Sequence, residues 1–221
     1  MNGLDFTLSG AQLTALPSGA LWCAADRVLT VSDLHLGKSD RIARRSGTML
    51  PPYEVQETLS RLETDITQMQ PHIVVCLGDS FDDLTAAYQL RDENALWITR
   101  LQAGCRWIWI EGNHDPGPVA LGGAHHAEFR SGPLVYRHIA QPGQTGEISG
   151  HYHPKTTLKT QARSVTRPCF LVDSARVIVP AYGTYTGGLR SHAPVLCELM
   201  QPDAKAILTG PTPAVIPMQR S

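Results

Sequence analysis

The stretch His72-Ile73-Val74-Val75-Cys76-Leu77-Gly78-Asp79 constrains this chain more than any other. It is a short, almost wholly apolar run that stops at a glycine and a carboxylate. A run of this length suits a strand buried on both faces, as in a parallel sheet. The acid just past it then sits at the carboxyl edge of the sheet, where open α/β sheets place their chemistry. Gly78 lets the backbone turn sharply beside Asp79. Two further runs end alike. Val28-Leu29-Thr30-Val31 leads into Ser32-Asp33-Leu34-His35, and Trp107-Ile108-Trp109-Ile110 leads into Glu111-Gly112-Asn113-His114-Asp115. Three strand ends delivering oxygen and nitrogen donors predict one site assembled at one sheet edge.

Between these strands the apolar spacing becomes helical. Residues 53–69 carry a stripe of Val55, Leu59, Leu62 and Ile66, which predicts a helix. Residues 84–101 predict a second, closed by Gly104. Strand, helix, strand, helix, strand implies βαβ units with right-handed crossovers. Residues 21–24 and 28–31 flank Ala25-Asp26-Arg27 and read as a hairpin. After Pro116-Gly117-Pro118 the pattern is mostly β, with strand-like runs at 127–129, 134–136, 165–172, 176–179 and 195–200. Residues 210–221 carry three prolines and are expected to form a poorly ordered tail after a single domain over 1–209.

Histidine placement points to the chemistry. Of nine histidines, five fall in Asp33-Leu34-His35, Asn113-His114-Asp115, Tyr136-Arg137-His138 and Gly150-His151-Tyr152-His153. His72, His125, His126 and His192 read as ordinary core or surface residues. Asp33 with His35, and His151 with His153, alternate at i and i+2, which on an extended backbone points both side chains one way. The donors Asp33, His35, Asp79, Asn113, His138, His151 and His153 include no thiolate and suit manganese, iron or zinc. They exceed the needs of one ion and fit two ions sharing one carboxylate.

The formal net charge is −1, so any basic, nucleic-acid-binding surface must be local. One basic run follows Asp-x-His. There Lys38, Arg41, Arg44 and Arg45 against Asp40 sum to +3, and on a helix the three arginines share a face. A second, Lys155, Lys159, Arg163 and Arg167, follows Gly-His-x-His, with no acid between Ile148 and Val172. Together they could track a polyanionic backbone; ordinary surface charge is the plainer alternative. Lys38, Arg41, Arg44, Arg45 and Lys155 are the candidate phosphate contacts. The scattered cysteines Cys23, Cys76, Cys105, Cys169 and Cys197 form no CxxC pair and read as reduced core thiols. No stretch is long enough to span a bilayer and the opening residues do not resemble a signal peptide, so the expected location is the cytoplasm, away from membranes.

Taken in order, Asp-x-His, Gly-Asp, Gly-Asn-His-Asp, a lone histidine after a strand and Gly-His-x-His resemble the signature of the calcineurin-like metallophosphoesterases, here from Asp33 to His153. The resemblance implies an α/β fold, a four-layer α/β/β/α sandwich of two mixed β-sheets with the active site at strand C-terminal ends. It implies two divalent metal ions, manganese foremost, with iron or zinc as alternatives. Asp33, His35, Asp79 and His153 would hold one ion, and Asp79, Asn113, His138 and His151 the other, Asp79 being shared. His114 would be the catalytic histidine, oriented by Asp115 or by a backbone carbonyl.

Residues 31–38, Gly-His-x-His-Pro and residues 180–188 further resemble the bacterial ligase-associated DNA-repair branch of that family. This implies a manganese-dependent phosphodiesterase or endonuclease acting on DNA or nucleotides, associated with a DNA ligase, an exonuclease and a helicase. A phosphomonoesterase acting on phosphoproteins or small metabolites is the alternative. A metal-holding repair scaffold without activity is a third reading, against which the intact His114-Asp115 pair argues. Two positions depart from the pattern. Ile139 follows His138 where many members have glycine, and Asp82 stands where this branch carries a histidine.

Overall fold

The computed structural model describes residues 3–47, 51, 53–115, 117, 120–159 and 164–220, without the side chains of Asp40, Arg44, Arg45, Leu84 and Lys159. The first sheet runs β1 (Leu4–Leu8), β2 (Ala11–Ala15), β3 (Leu21–Cys23), β4 (Val28–Val31), β5 (Ile73–Cys76), β6 (Arg106–Ile110) and β7 (Ala124–His126), each beside the next. Pairing is antiparallel from β1 to β4 and parallel from β4 to β7. The crossovers between β4, β5 and β6 are made by helices α1 (Lys38–Ser46), α2 (Glu54–Met69), α3 (Leu84–Tyr88) and α4 (Asp92–Gln102).

The second sheet holds β8 (Glu128–Ser131), β9 (Leu134–Arg137), β10 (Glu147–Ser149), β11 (Lys155–Lys159), β12 (Ser164–Val172), β13 (Arg176–Ile178), β14 (Lys205–Leu208) and β15 (Ala214–Pro217). Its order is β15-β14-β12-β13-β10-β9-β8, with β11 on β12. Parallel pairs β9–β10 and β10–β13 sit among antiparallel ones.

Alternation along β5 explains the layering. Val75 and Leu77 enter a core shared with Ile108, Tyr136, Ile148, Phe170 and Val177, between the sheets. Val74 and Cys76 point the other way, onto Leu59 and Leu62 of α2 and Ile98 and Leu101 of α4. The outer face of the second sheet, with Cys169, Leu171 and Ile178, is covered by Leu196 and Met200 of the segment that includes α5 (Pro194–Leu199). This is the expected four-layer sandwich of two mixed sheets. Each fully buried Leu, Ile, Val or Phe contributes about 1.5–3 kcal/mol.

Three local expectations are corrected, and one hairpin is added. The helix expected over 84–101 is broken at Gln89-Leu90-Arg91. Asp83 caps α3 by accepting from the Ala86 amide at 2.7 Å, and Asp92 and Glu93 favour a fresh N-terminus for α4. Residues 194–199 are helical rather than strand. Pro194 suits a first helical turn, and a short apolar run does not distinguish the two states. A β1–β2 hairpin precedes the first expected strand. Its turn residues Ser9 and Gly10 both have positive φ, at 48° and 85°, as a tight hairpin requires.

Finally, no loose tail begins at residue 210. Ala214–Pro217 adds an edge strand to β14, where proline is tolerated, and Arg220 donates to the carbonyls of Cys197, Met200 and Gln201. All five cysteines are free thiols. Among the described residues no helix is long and apolar enough to cross a membrane.

Candidate metal centre

Five strand ends meet at one place. The parallel register Val31↔Cys76 and Cys76↔Trp109 keeps the ends of β4, β5 and β6 level, so Asp33, Asp79 and Asn113 emerge together. From the second sheet, β9 and β10 run side by side and deliver His138 and His151, with the Gly150 amide donating to the His138 carbonyl at 2.9 Å.

The backbone there is not extended. Asp33, His35, Asp79, His151 and His153 all have positive φ, between 45° and 70°. The i, i+2 pairs therefore converge through left-handed turns, which corrects the extended geometry expected from their spacing. Such turns cost non-glycine residues about 1–2 kcal/mol each. The surroundings hold them in place. Amides of Asp33, His35 and Leu36 donate to carbonyls of Gly78, Asp79 and Ser80 at 3.2, 2.9 and 3.0 Å, zipping the two loops together. Behind them, amides of Tyr182 and Gly183 donate to Ser32 and Asp33 at 2.8 and 3.1 Å, and the Tyr182 hydroxyl donates to Asp65 at 2.9 Å. The segment 180–188, noticed in the sequence only by resemblance, is thus a buttress for the loop of Asp33 and His35. Gly78 has φ 80°, and a Cβ there would come within 2.6 Å of His138 Nδ1. Glycine is needed for the ring to lie across the end of β5.

All seven expected donors converge. Asp33 Oδ1 lies 3.1 Å from His153 Nε2, which lies 3.3 Å from His35 Nε2. Asp79 Oδ2 lies 4.0 Å from His35 Nε2 and 3.4 Å from His138 Nε2. His138 Nε2 in turn lies 3.0 Å from Asn113 Oδ1 and 3.2 Å from His151 Nδ1. One carboxylate oxygen of Asp79 therefore faces both groups.

The proton arithmetic calls for positive charge. His138 Nδ1 donates to the Leu77 carbonyl at 2.7 Å, which leaves its Nε2 lone pair aimed at the lone pairs of Asn113 and Asp79. Asp33 Oδ1 is fully buried with no well-formed hydrogen bond. Such a cluster needs a proton or a cation at its middle, and its nitrogen and oxygen donors fit a divalent ion. Without a cation a proton serves. Burial opposes charge on His138, but the nearby Asp79 and Asp33 outweigh it and raise its pKa above the usual value. Burial would raise Asp79 and Asp33, yet His138 and His153 respectively hold both below the usual carboxylate range.

Cation loading must then displace that proton. Affinity is expected to increase with pH through the raised His138 range, because below it the proton competes and above it the lone pair is free. Calorimetric titration in two buffers of different ionisation heat counts the protons released. No release would contradict a cation seated on His138.

His114 is attached to the same cluster. Its amide donates to Asp79 Oδ1 at 2.8 Å, and its Nδ1 donates to the Asp82 carbonyl at 2.7 Å, leaving Nε2 for other work. Asp115 does not touch the ring, so of the two orienting partners expected for His114 the carbonyl is the one found. The Asp115 carboxylate accepts from the amides of Asp79, Ser80 and Phe81 at 2.9, 2.7 and 3.2 Å, pinning the loop that carries Asp79. Burial pushes its carboxyl up to about 6 against those three donors, with the Asp79 charge adding to the rise.

Asp82 was not foreseen as a site residue. It is fully buried, with Oδ1 3.0 Å from His35 Nδ1 and 3.8 Å from Lys38 Nζ, and Oδ2 paired with Arg41. Its carboxylate thus positions His35 while its carbonyl positions His114. Its place three residues after the Gly-Asp acid was the available signal. Groups that orient metal-binding histidines are typically worth about 10–100-fold in metal affinity or activity. Asp82→Ala is expected to lose that much by metal titration and steady-state rate. Wild-type values in both would contradict the positioning role.

The phosphate candidates divide. Lys38 and Arg41 are half-buried against Asp82, so they are ion-pair partners first, though two cations on one carboxylate leave net positive charge. Lys155 Nζ donates to the Thr186 carbonyl at 2.9 Å. Burial, then Arg190 and Lys38, lower the Lys155 pKa, so these cations lie in one another's field. Arg190 lies outside every sequence motif described above. Arg167 reaches the Thr209 carbonyl instead. The side chains of Arg44, Arg45 and Lys159, and Arg163 entirely, lie outside the described residues.

Comparison with known proteins agrees with this geometry. A family model described as calcineurin-like phosphoesterase matches residues 26–210. A solved structure, the crystal structure of a Pseudomonas putida nuclease MPE, is similar with a TM-score of 0.75 and 27% sequence identity, over 96% of this chain and 100% of that one. No curated protein matches the sequence.

Proposed function

The chain belongs to the calcineurin-like phosphoesterase family, whose members are metal-dependent, and from that premise we propose that it is a dinuclear-metal phosphodiesterase that cleaves DNA. The observation that carries this is the Asp79 carboxylate, which faces both groups of donors and holds the amide of His114. Asp33, His35, Asp79 and His153 would hold one cation, and Asp79, Asn113, His138 and His151 the other, with manganese the ion of choice. When bound, the cations supply Lewis-acid chemistry, activating an attacking water and neutralising charge on the phosphoryl oxygens. His114, whose Nδ1–H is fixed on a carbonyl, carries a second proton on Nε2 when it is the imidazolium and gives that proton to the departing alkoxide, leaving the neutral ring. Lys38, Arg41, Lys155 and Arg190 spread positive field along one flank, which suits a chain of phosphates. The similar Pseudomonas protein, a nuclease, supports cleavage of nucleic acid; a role in DNA repair, in functional association with a DNA ligase, an exonuclease and a helicase, rests on the resemblance to the ligase-associated branch alone.

The test is Mn-supported hydrolysis of bis(p-nitrophenyl) phosphate against p-nitrophenyl phosphate, with DNA binding followed across a salt series. The diester is expected to be turned over with the higher kcat/KM, and DNA affinity to fall steeply with salt. Preference for the monoester would favour a phosphomonoesterase. Salt-independent DNA binding would remove the phosphate-tracking flank.

A further inference from the structure

A groove of about 530 Å³ opens beside the metal centre, lined by Asn113 and His138 of the centre itself and by Glu111, Glu128, Ile139 and Gln141. Its volume falls within the roughly 300–1,000 Å³ typical of small-molecule sites. Its electrostatics differ from those of the cationic flank. Two carboxylates, Glu111 and Glu128, line it. Among the described residues the lysine or arginine that lines it is Arg137, whose side chain is only 7% exposed and is engaged by Glu128 at 2.9 Å and Glu147 at 3.6 Å; Glu128 also holds Arg130 at 3.0 Å. A second phosphate placed here would meet the carboxylates of Glu111 and Glu128, and the arginines beside Glu128, Arg137 and Arg130, are already bonded to it. A neutral group would meet acceptor oxygens and the apolar surface of Ile139, which is 43% exposed.

We propose that the groove is a base-binding subsite, which takes the nucleobase of the nucleotide attached to the scissile phosphate. The inference rests on the phosphodiesterase reading and deepens it. With a phosphate at the metal centre, the groups covalently next to it are a sugar and a base, and the groove begins at Asn113 and His138, where that phosphate would lie. Carboxylate and amide oxygens of Glu111, Glu128 and Gln141 accept from base N–H groups, while Ile139 covers part of the base plane. The division is then a cationic flank for the phosphate run and a carboxylate-lined berth for one base.

The experiment compares the Mn-loaded protein on two diesters with the same leaving group, the p-nitrophenyl ester of deoxycytidine 5′-monophosphate and methyl p-nitrophenyl phosphate. The nucleoside ester is expected to have about tenfold or more the kcat/KM of the methyl ester, mainly through KM, as one bound base is worth on this scale. Two variants at exposed residues that line the groove, Ile139→Asp and Ala127→Phe, should bring that ratio toward unity, with melting temperature checking that each is folded. Equal kcat/KM for the two esters in the wild-type protein, or a ratio unchanged in both variants, overturns the subsite alone. No hydrolysis of either ester overturns the diesterase reading and this inference with it.

Discussion

Asp79→Ala is expected to lower kcat/KM by about 10³-fold, the several kcal/mol that metal-ion stabilisation of a phosphoryl transition state supplies. The size follows from how much one side chain touches. Its Oδ2 lies 3.4 Å from His138 Nε2 and 4.0 Å from His35 Nε2, while its Oδ1 accepts the His114 amide at 2.8 Å. Removal takes an anion from between two groups of histidines and frees the backbone of the proton donor. Metal content should fall along with rate, and Asp79→Asn, which keeps shape without charge, should be nearly as impaired. Steady-state rates and metal analysis on the same preparations check this. Near-wild-type turnover with both metals still bound would remove Asp79 from its shared role.

His114→Ala should separate rate from metal. No ring atom of His114 is among the seven converging donors, so metal content is expected to stay at the wild-type level. The rate is expected to fall by about 10²–10⁴-fold, the usual worth of a positioned general acid. The loss should depend on the leaving group. An alkoxide as in DNA needs the proton and should suffer the full loss, whereas p-nitrophenolate leaves without one and should suffer least. A loss of equal size for both would show that His114 acts by something other than proton donation. Asp115→Asn is a useful contrast, because Asp115 holds the loop amides of Asp79, Ser80 and Phe81 rather than the His114 ring.

Much of the site could be read before the fold was known, for a physical reason. Parallel strands buried on both faces are long apolar runs, so the polar residue that ends each stands out, and parallel pairing keeps those ends level. Asp33, Asp79 and Asn113 were legible in this way, and His138, His151 and His153 by imidazole placement. What escaped depended on groups that a sequence pattern does not display. Asp82 works partly through its carbonyl, and its carboxylate meets His35 only because two loops zip together. Asp115 spends its oxygens on main-chain amides. The left-handed backbone at five candidate ligand positions is imposed by loop packing, against the intrinsic preference of those residues. Likewise Leu196 and Met200 form a helical contact that a short apolar run cannot distinguish from a strand, and β15 is held by its neighbour β14 more than by its own proline-flanked sequence.

The most direct test of the account is electron paramagnetic resonance of the metal-free protein titrated with manganese. Two ions gathered around one carboxylate must be close enough to couple. Uptake of two manganese ions per chain is expected, with a spectrum of an exchange-coupled pair at saturation and loss of that coupling in Asp79→Ala. Saturation at one ion, or two ions giving the signal of isolated manganese, would contradict it.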